Sequence, residues 1–280
     1  MKIFIDTGDI EEIKKAYSFG ILDGVTTNPS LIKAAVNDKS SGTGISLSEY
    51  IIEILNVAKG TPVSLEVIGS TYQEMVSEAR KIYKVFNKVA GNVYVKIPVN
   101  PSMDEKGSNS FDGIKAIKTL SDEGIPINCT LVFTPEQAML AAKAGASFVS
   151  PFAGRVDDHI RKSNDVDFKK TDYFPAYGLA LESDKPEEEA VILEDNGIVS
   201  GIDLVGQCVE IFRNYGLKAE VLASSMRNAR QVREAALAGA DIATLPFKVI
   251  LELLKHQKTA EGMKRFTEDV VEEYSDIIRK

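Results

Sequence analysis

The stretch INCTLVFTPEQAMLAAKAGASFVSPF, residues 127–152, contains the local signals that decide the fold. It begins with a short, β-branched run, Ile127–Val132, which is typical of a strand buried on both faces. The sequence Thr-Pro-Glu-Gln at 134–137 predicts a helix start, with threonine as cap, proline at the first position and glutamine completing a capping box. Gly145 supplies the left-handed conformation that ends a helix, and a second apolar run follows at Phe148–Phe152. The stretch therefore predicts one strand–helix–strand unit.

The same rhythm extends along the chain. The runs that we predict to be strands are Ile3–Asp6, Gly24–Thr27, Val63–Val67, Val93–Val99, Ile127–Val132, Phe148–Phe152, Glu220–Ala223 and Ile242–Leu245. Asp9 and Thr71 each precede a glutamate by three residues, which predicts two more capping boxes. A closed barrel and an open doubly wound sheet both fit this alternation. The number of strands, eight, favours an α/β fold of the (β/α)8 TIM-barrel type.

Three segments depart from this rhythm within what we predict to be a single barrel domain, residues 1–280. The Ser/Gly-rich segment Val36–Leu47 predicts a loop. Residues 157–200, between strand six and its helix, predict a long insertion, which is either a structured lid or a solvated appendage. The charged tail Lys258–Lys280 predicts one extra C-terminal helix that packs across the barrel or onto a neighbouring subunit.

Composition excludes several classes of protein. The chain has 280 residues, 44% of them hydrophobic, and a formal charge of −8, so we expect a large core and no nucleic-acid partner. Two separated cysteines and two histidines, without metal-ligand spacing, predict no metal site. The acidic N-terminal region does not resemble a signal peptide, and no apolar run is long enough to span a membrane. We therefore expect a cytoplasmic protein that does not bind membranes.

Polar residues cluster where the predicted strands end, which is where barrels carry their active sites. They are Asp6, Thr7, Thr26, Thr27, Asn28, Glu66, Lys96, Asn128, Thr130, Ser150, Arg155, Ser224, Ser225 and Arg227. Lys96 is the sharpest clue, because it interrupts a β-branched strand, on the same face as Tyr94 and Pro98. Desolvation favours the neutral amine, which can form a Schiff base with a carbonyl group. The alternative is a buried ion pair with Asp6 or Glu66.

Two arginines lie where barrels often bind phosphate. Arg155 follows the sixth strand and Arg227 follows the seventh, close to Ser225. A guanidinium group suits two-pronged recognition of a phosphate. The alternative is that either arginine caps a helix or pairs on the surface.

These residues belong to motifs that resemble those of the transaldolase family, in the family's order. The motifs are Phe4–Thr7, Gly24–Leu31, Val95–Pro98, Ile127–Leu131, Ser150–Arg155 and Ser225–Asn228. The resemblance implies a transferase of the pentose phosphate pathway that needs no cofactor. Its partners would be sugar phosphates, and we expect a homo-oligomer. It would move a dihydroxyacetone unit from a ketose phosphate, sedoheptulose 7-phosphate or fructose 6-phosphate, to an aldose phosphate.

The resemblance also implies a role for each site residue. Lys96 would form the Schiff base, Asp6 would be the acid and base at the cleaved bond, and Glu66 with Thr130 would hold a water that relays protons. The residues implied in binding the hydroxyl groups and the phosphate, or in lining the site, are Thr26, Asn28, Asn128, Ser150, Phe152, Arg155, Ser225 and Arg227.

Two positions separate the branches of this family. The fructose-6-phosphate aldolases of the family that this chain resembles have Gln at the position of Glu66 and Tyr at the position of Phe152. This chain has the transaldolase residue at both positions. Met226 departs from the phenylalanine of many relatives, with little expected effect. The alternatives are an aldolase that releases dihydroxyacetone and a non-catalytic sugar-phosphate-binding barrel. The second alternative would require Lys96 or the acids to be missing.

Overall fold

Eight parallel strands close into a barrel in a computed structural model that describes residues 1–39, 46–103, 107–181 and 191–279. The described residues contain ten strands in all, eight of the barrel and two of a separate hairpin. They are β1 (Lys2–Asp6), β2 (Gly24–Thr26), β3 (Val63–Glu66), β4 (Val93–Pro98), β5 (Ile127–Val132), β6 (Phe148–Pro151), β7 (Ala180–Leu181), β8 (Val191–Ile192), β9 (Glu220–Ala223) and β10 (Ile242–Leu245). The barrel order is β1-β10-β9-β6-β5-β4-β3-β2, and β7 with β8 forms a separate antiparallel hairpin. The prediction of a (β/α)8 barrel is confirmed, and an open sheet is excluded.

Helices surround the barrel and cover the outward side chains of its strands. They are α1 (Ile10–Ser18), α2 (Pro29–Lys39), α3 (Leu47–Val57), α4 (Tyr72–Ala90), α5 (Asp112–Asp122), α6 (Pro135–Ala144), α7 (Ala153–Ser163), α8 (Gly201–Tyr215), α9 (Ala229–Leu237), α10 (Phe247–Glu252), α11 (Gln257–Glu268) and α12 (Glu272–Arg279). Outward strand residues such as Val95 and Ile97 are fully buried in this larger core. Among the described helices, none is long and apolar enough to cross a membrane.

A second, smaller apolar cluster fills the interior of the barrel. Phe4, Phe148, Leu222 and Ile242 form it, and the ring of Tyr94 stacks on Phe148 with centroids 4.6 Å apart. Successive side chains of a strand point to opposite faces, so the residue two positions further on also points inward. The apolar cluster therefore forms the floor on which the inward polar residues of the next layer lie.

Gly24 makes room for this floor. A methyl group at Gly24 would lie 2.6 Å from the end of the Phe4 ring, which is completely buried. We expect Gly24→Ala to lower the free energy of unfolding by about 1–3 kcal/mol, the cost of overpacking a core. Urea unfolding of the variant measures the change. Gly262→Ala in α11, where nothing lies within 4 Å, is the control and should not be destabilising.

All three predicted N-caps, Asp9, Thr71 and Thr134, are confirmed, but a capping box forms at only two of them. Capping boxes form at Thr71 and at Thr134, as predicted. At Asp9 the prediction of a box is wrong, because the carboxylate accepts the Glu11 N–H instead. The Glu12 carboxylate accepts the Thr7 hydroxyl, 2.6 Å away, and the Thr7 oxygen accepts the Asp9 N–H. The Thr7 hydroxyl therefore lies between the Asp9 N–H and the Glu12 carboxylate, which would bond directly to each other in a capping box.

Two predicted irregular segments begin or end differently in the structure. The predicted loop 36–47 overlaps α2, which continues to Lys39, and α3, which begins at Leu47, while residues 40–45 lie outside the described ranges. Helix α7 follows β6 directly and runs to Ser163, so residues 157–163 are helical and the insertion begins after α7, not at Asp157. The barrel helix between the sixth and seventh strands is α8, which packs against α6, α9, β6 and β9 and so follows the insertion as predicted. The acidic run at 186–190 lies outside the described residues.

The first part of the insertion packs against α7. Arg161, only 3% exposed, lies between the rings of Phe168 and Phe174 and donates hydrogen bonds to the carbonyl groups of Asp172 and Tyr173. A solvated appendage would leave this guanidinium in water. The interpretation of residues 168–174 as an appendage is therefore excluded.

The C-terminal tail forms two helices, α11 and α12, where the sequence predicted one. Neither of these described helices has a buried residue, and Met263, Phe266, Tyr274 and Ile277 are each more than half exposed. The tail does not bury an apolar face against the barrel. Packing onto a neighbouring subunit, and with it the homo-oligomer, stays a prediction.

Candidate active site

One polar pocket lies at the carboxyl ends of the barrel strands, one layer beyond the apolar floor. The predicted site residues that line it are Asp6, Thr26, Asn28, Lys96, Asn128, Ser150, Phe152, Arg155 and Ser225. Ser224 and Thr244 complete the lining. Residues from strands that are distant in sequence therefore meet here, because parallel strands of a barrel all end at the same rim.

Lys96 lies at the inner wall of this pocket, with 6% of its surface exposed. Its Nζ is 3.3 Å from Glu66 Oε2 and donates to the Thr27 carbonyl oxygen at 3.4 Å. The register of β3 and β4 places Glu66 directly beside Lys96. The expected ion pair with Glu66 is therefore present. It does not exclude chemistry, because the same carboxylate can exchange a proton with the amine.

Asp6 faces Lys96 across the pocket. Its Oδ1 accepts the Thr26 hydroxyl at 2.8 Å, and Thr26 shares a 2.5 Å hydrogen bond with Thr244. Burial raises the pKa of Asp6 above the usual carboxyl range, although Lys96, the Thr26 hydrogen bond and Arg155 each lower it. A carboxyl group that holds its proton more tightly is suited to accept and return a proton during a reaction.

A chain of fully buried hydrogen bonds orients Asn128. The Ser150 hydroxyl donates to Asn128 Oδ1 at 2.6 Å, and Asn128 Nδ2 donates to Ser64 Oγ at 3.0 Å. Both ends of the amide are thus fixed before any ligand enters. Asn28, which lines the pocket, accepts the Leu31 N–H at the start of α2 with its side-chain oxygen.

Three of the residues to which the family resemblance gives a role do not line the pocket. Glu66 is in contact with Lys96 but lies behind it. Thr130 follows one register position after Cys129, where β5 bulges and Leu131 takes a left-handed φ of 58°. Its hydroxyl is buried, and in the described part of the chain it has no hydrogen-bond partner. Arg227 pairs with Asp158, with Nη2 3.1 Å from Oδ2.

The phosphate side that the sequence predicted is built around the first turn of α7. The guanidinium of Arg155 stacks on the ring of Phe152, 4.9 Å from its centroid, and this ring packs on Phe133. Ser225 has a left-handed φ of 62°, which costs a non-glycine residue conformational energy. Such strain is typical of positions at functional sites.

Ser64, Thr244 and Asp158 are polar contacts of the site that the sequence analysis did not assign. For Thr244 a signal existed, because it lies two residues after the inward Ile242, as Asp6 does after Phe4. Ser64 lies two residues before Glu66 and therefore on the same face of β3. Asp158 had no such signal, since it lies on a helix and within the predicted insertion.

A second cavity, of about 360 Å³, lies between β3 and α2, α3 and α4. Apolar side chains such as Ile32, Ile51 and Phe86 form most of its lining, with Glu66 and Lys33 as its charged members. Within the described ranges, no three His, Cys, Asp or Glu side chains are arranged to hold a metal ion. The polar pocket around Lys96 is thus the candidate active site.

A barrel whose strand ends join a buried lysine to two carboxylates is built for catalysis on small polar molecules. A sequence model of the transaldolase/fructose-6-phosphate aldolase family matches residues 3–278. The chain therefore belongs to this family.

Relatives of known name agree with this assignment over almost the whole chain. A probable transaldolase of Thermoplasma acidophilum is 43% identical over 270 residues, 96% of this chain and 95% of the relative. A probable transaldolase of Chlorobium phaeobacteroides strain BS1 is 42% identical over 269 residues, 96% of this chain and 97% of the relative. One of Thermoplasma volcanium is 40% identical, covering 96% and 95% of the two chains.

Proposed function

We propose that this protein is a transaldolase, which moves a dihydroxyacetone unit from a ketose phosphate to an aldose phosphate through a Schiff base on Lys96. The observation that carries the proposal is the place of Lys96, almost buried in a polar pocket between Glu66 and Asp6. The Glu66 carboxylate lies close enough to accept the protons that the lysine nitrogen must release when it attacks a carbonyl group.

In the first step the Lys96 amine attacks the ketone carbon of the donor. The resulting carbinolamine loses water, and the C=N bond takes the place of C=O. Proton transfers to and from the departing oxygen pass through a water held by Glu66 and Thr130. The buried, unpartnered hydroxyl of Thr130 supports this role, because such a group is usually satisfied by an ordered water.

In the second step the carbon–carbon bond next to the imine breaks. Asp6 takes the proton of the hydroxyl group on the departing carbon, which becomes an aldehyde, and the bonding electrons move into an enamine on Lys96. The enamine then attacks the aldehyde of the acceptor, and Asp6 returns the proton to the new hydroxyl group. The raised pKa of Asp6 supports both directions of this transfer.

The remaining residues hold the substrate. Asn28, Asn128 and Ser150 bind the hydroxyl groups of the dihydroxyacetone unit. Arg155, Ser225 and Arg227 bind the phosphate of donor and acceptor. The pathway, pentose phosphate metabolism in the cytoplasm, and the homo-oligomer rest on the family resemblance and belong to the same proposal.

The proposal is tested by supplying fructose 6-phosphate with and without erythrose 4-phosphate. We expect sedoheptulose 7-phosphate to form with the acceptor and little dihydroxyacetone to appear without it. The family also contains aldolases, so free dihydroxyacetone forming as fast as transfer product would replace the transaldolase by the aldolase. No turnover of either kind would leave a sugar-phosphate-binding protein.

The two arginines should act on the phosphate. We expect Arg155→Ala and Arg227→Ala each to weaken the use of fructose 6-phosphate by about 1.5–3 kcal/mol, the range for hydrogen bonds to charged groups. Turnover of unphosphorylated fructose should suffer less. The assay compares kcat/KM for the two donors, and Arg230→Ala, a half-exposed arginine of α9 that pairs with Glu234, is the control. Equal losses with both donors would make these arginines structural.

Catalysis should not depend on a metal ion. The imine is itself the acceptor for electrons in the cleavage step, so we expect treatment with EDTA followed by dialysis to leave kcat unchanged. The measurement is the transfer rate before and after treatment. Activity lost on treatment and regained with a divalent ion would contradict the Schiff-base route.

A further inference from the structure

Arg227, which the proposed function assigns to phosphate, is bonded directly to Asp158 of α7 and is linked to the neighbouring Asp157 through Gln231. Its Nη2 donates to Asp158 Oδ2 at 3.1 Å, with 23% and 14% of the two side chains exposed. Its main-chain N–H donates to Gln231 Oε1 at 2.8 Å. Gln231 Nε2 in turn donates to the buried Asp157 Oδ2, also at 2.8 Å.

The surface of α7 is shaped to receive this arginine. Gly154 and Asp158 are four residues apart, so they lie on the same face of the helix. A methyl group at Gly154 would lie 2.5 Å from Arg227 Nε and 2.2 Å from the carbonyl oxygen of Ser225. The arginine side chain therefore lies across the first turn of α7, with Asp158 at its far end.

This arrangement leaves one donor of the guanidinium without a partner among the described residues. Arg227 Nε is buried, and no acceptor for it exists in the described part of the chain. Asp158 accepts a hydrogen bond from Nη2, and Nε lies against Gly154, in the turn of α7 that also contains Arg155. A buried donor without an acceptor is costly unless a ligand supplies one.

Asp157 gives this position rigidity. Its Oδ1 accepts the Gly201 N–H at the start of α8, at 2.7 Å, while Oδ2 accepts from Gln231 on α9. The side chain, 3% exposed, thus joins three helices beneath the main chain of Arg227. The two acids divide the work: Asp157 fixes the backbone and Asp158 fixes the guanidinium.

We propose that Asp158 is a positioning residue, which sets the orientation of Arg227 and thereby the preference of the enzyme for phosphorylated sugars. The inference rests on the proposed function and goes beyond it, because Asp158 contacts no substrate. Its part is to hold a flexible side chain in its binding geometry before the phosphate arrives, which lowers the entropy lost on binding.

The test compares the ratio of kcat/KM for fructose 6-phosphate to that for fructose. Asp158→Ala should lower this ratio about tenfold, the lower end of what losing a second-layer partner costs a metal ligand. Asp158→Asn keeps a hydrogen-bond acceptor without the charge, and its ratio should stay within about threefold of wild type. In an Arg227→Ala background the side chain that Asp158 orients is absent. Asp158→Ala should then change the ratio by less than about twofold, the margin within which independent substitutions add. Asp122→Ala, which removes an exposed pair with Lys118, is the control.

An unchanged ratio in Asp158→Ala, a ratio that rises because Asp158 competes with phosphate, or an equal loss in the Arg227→Ala background would each overturn the inference. Failure of the proposed function looks different, because wild type itself would then show no transfer. Binding of inorganic phosphate, measured by calorimetry on the same variants, tests the inference in that case also. Weaker phosphate binding in both Asp158→Ala and Arg227→Ala than in wild type, with Asp122→Ala unchanged, would uphold it, and binding by Asp158→Ala equal to that of wild type would overturn it.

Discussion

Replacing Lys96 by Met should reduce transfer by on the order of 10⁶-fold, the lower end of the acceleration that enzymes provide. Methionine fills nearly the same space, so the pocket keeps its shape while the nucleophile is lost. Lys96→Arg should be equally inactive, because a guanidinium group stays charged and cannot form the imine. The measurement is single-turnover transfer from fructose 6-phosphate, with far-UV circular dichroism to confirm that each variant is folded.

The intermediate itself should be observable. Wild type incubated with fructose 6-phosphate and borohydride should gain a reduced three-carbon unit on Lys96, and trypsin should then fail to cut after this residue. Lys248, which lies on α10, is an internal control and should stay unmodified. An active enzyme whose Lys96 remains unmodified would refute the Schiff-base mechanism.

Phe152→Tyr should turn the transferase toward an aldolase. In the proposed mechanism the enamine on Lys96 persists in wild type because Phe152, which lines the same pocket, has no proton to donate. A tyrosine hydroxyl there can assist protonation of the enamine carbon. General-acid assistance is typically ~10²–10⁴-fold on such a step. We expect release of dihydroxyacetone without an acceptor to rise by at least the lower of these factors, and transfer to fall.

A neighbouring ring provides the control for this variant. Phe133 packs on Phe152 with centroids 5.8 Å apart but does not line the pocket. Phe133→Tyr adds the same hydroxyl group outside the site and should leave the partition between release and transfer unchanged. If both variants release dihydroxyacetone equally, the effect comes from loosened packing and not from proton donation.

Much of the candidate site could be predicted because it follows from strand geometry. Lys96, Asp6 and Ser150 lie at strand ends, and the alternation of side chains fixes the face on which they lie. The same rule, applied from the floor residues Ile242 and Phe4, would have found Thr244. The insertion boundary failed because α7 carries polar residues such as Asp157 and Asp158, and its start lacks a side-chain cap.

The sequence by itself determined an α/β fold with buried parallel strands, since short β-branched runs alternate with capped helices. The number of strands favoured the barrel, and the tertiary structure showed that the sheet closes. The sequence also predicted Lys96 as the nucleophile, because this lysine interrupts such a strand, and that role stays a prediction. Only the tertiary structure decided the partners: Glu66 beside Lys96, Asn128 between Ser150 and Ser64, and Asp158 on Arg227. Contacts between side chains 22 to 69 residues apart depend on barrel closure and on the path of each loop. Local propensity contains no information about either, so these contacts cannot be predicted from one chain alone.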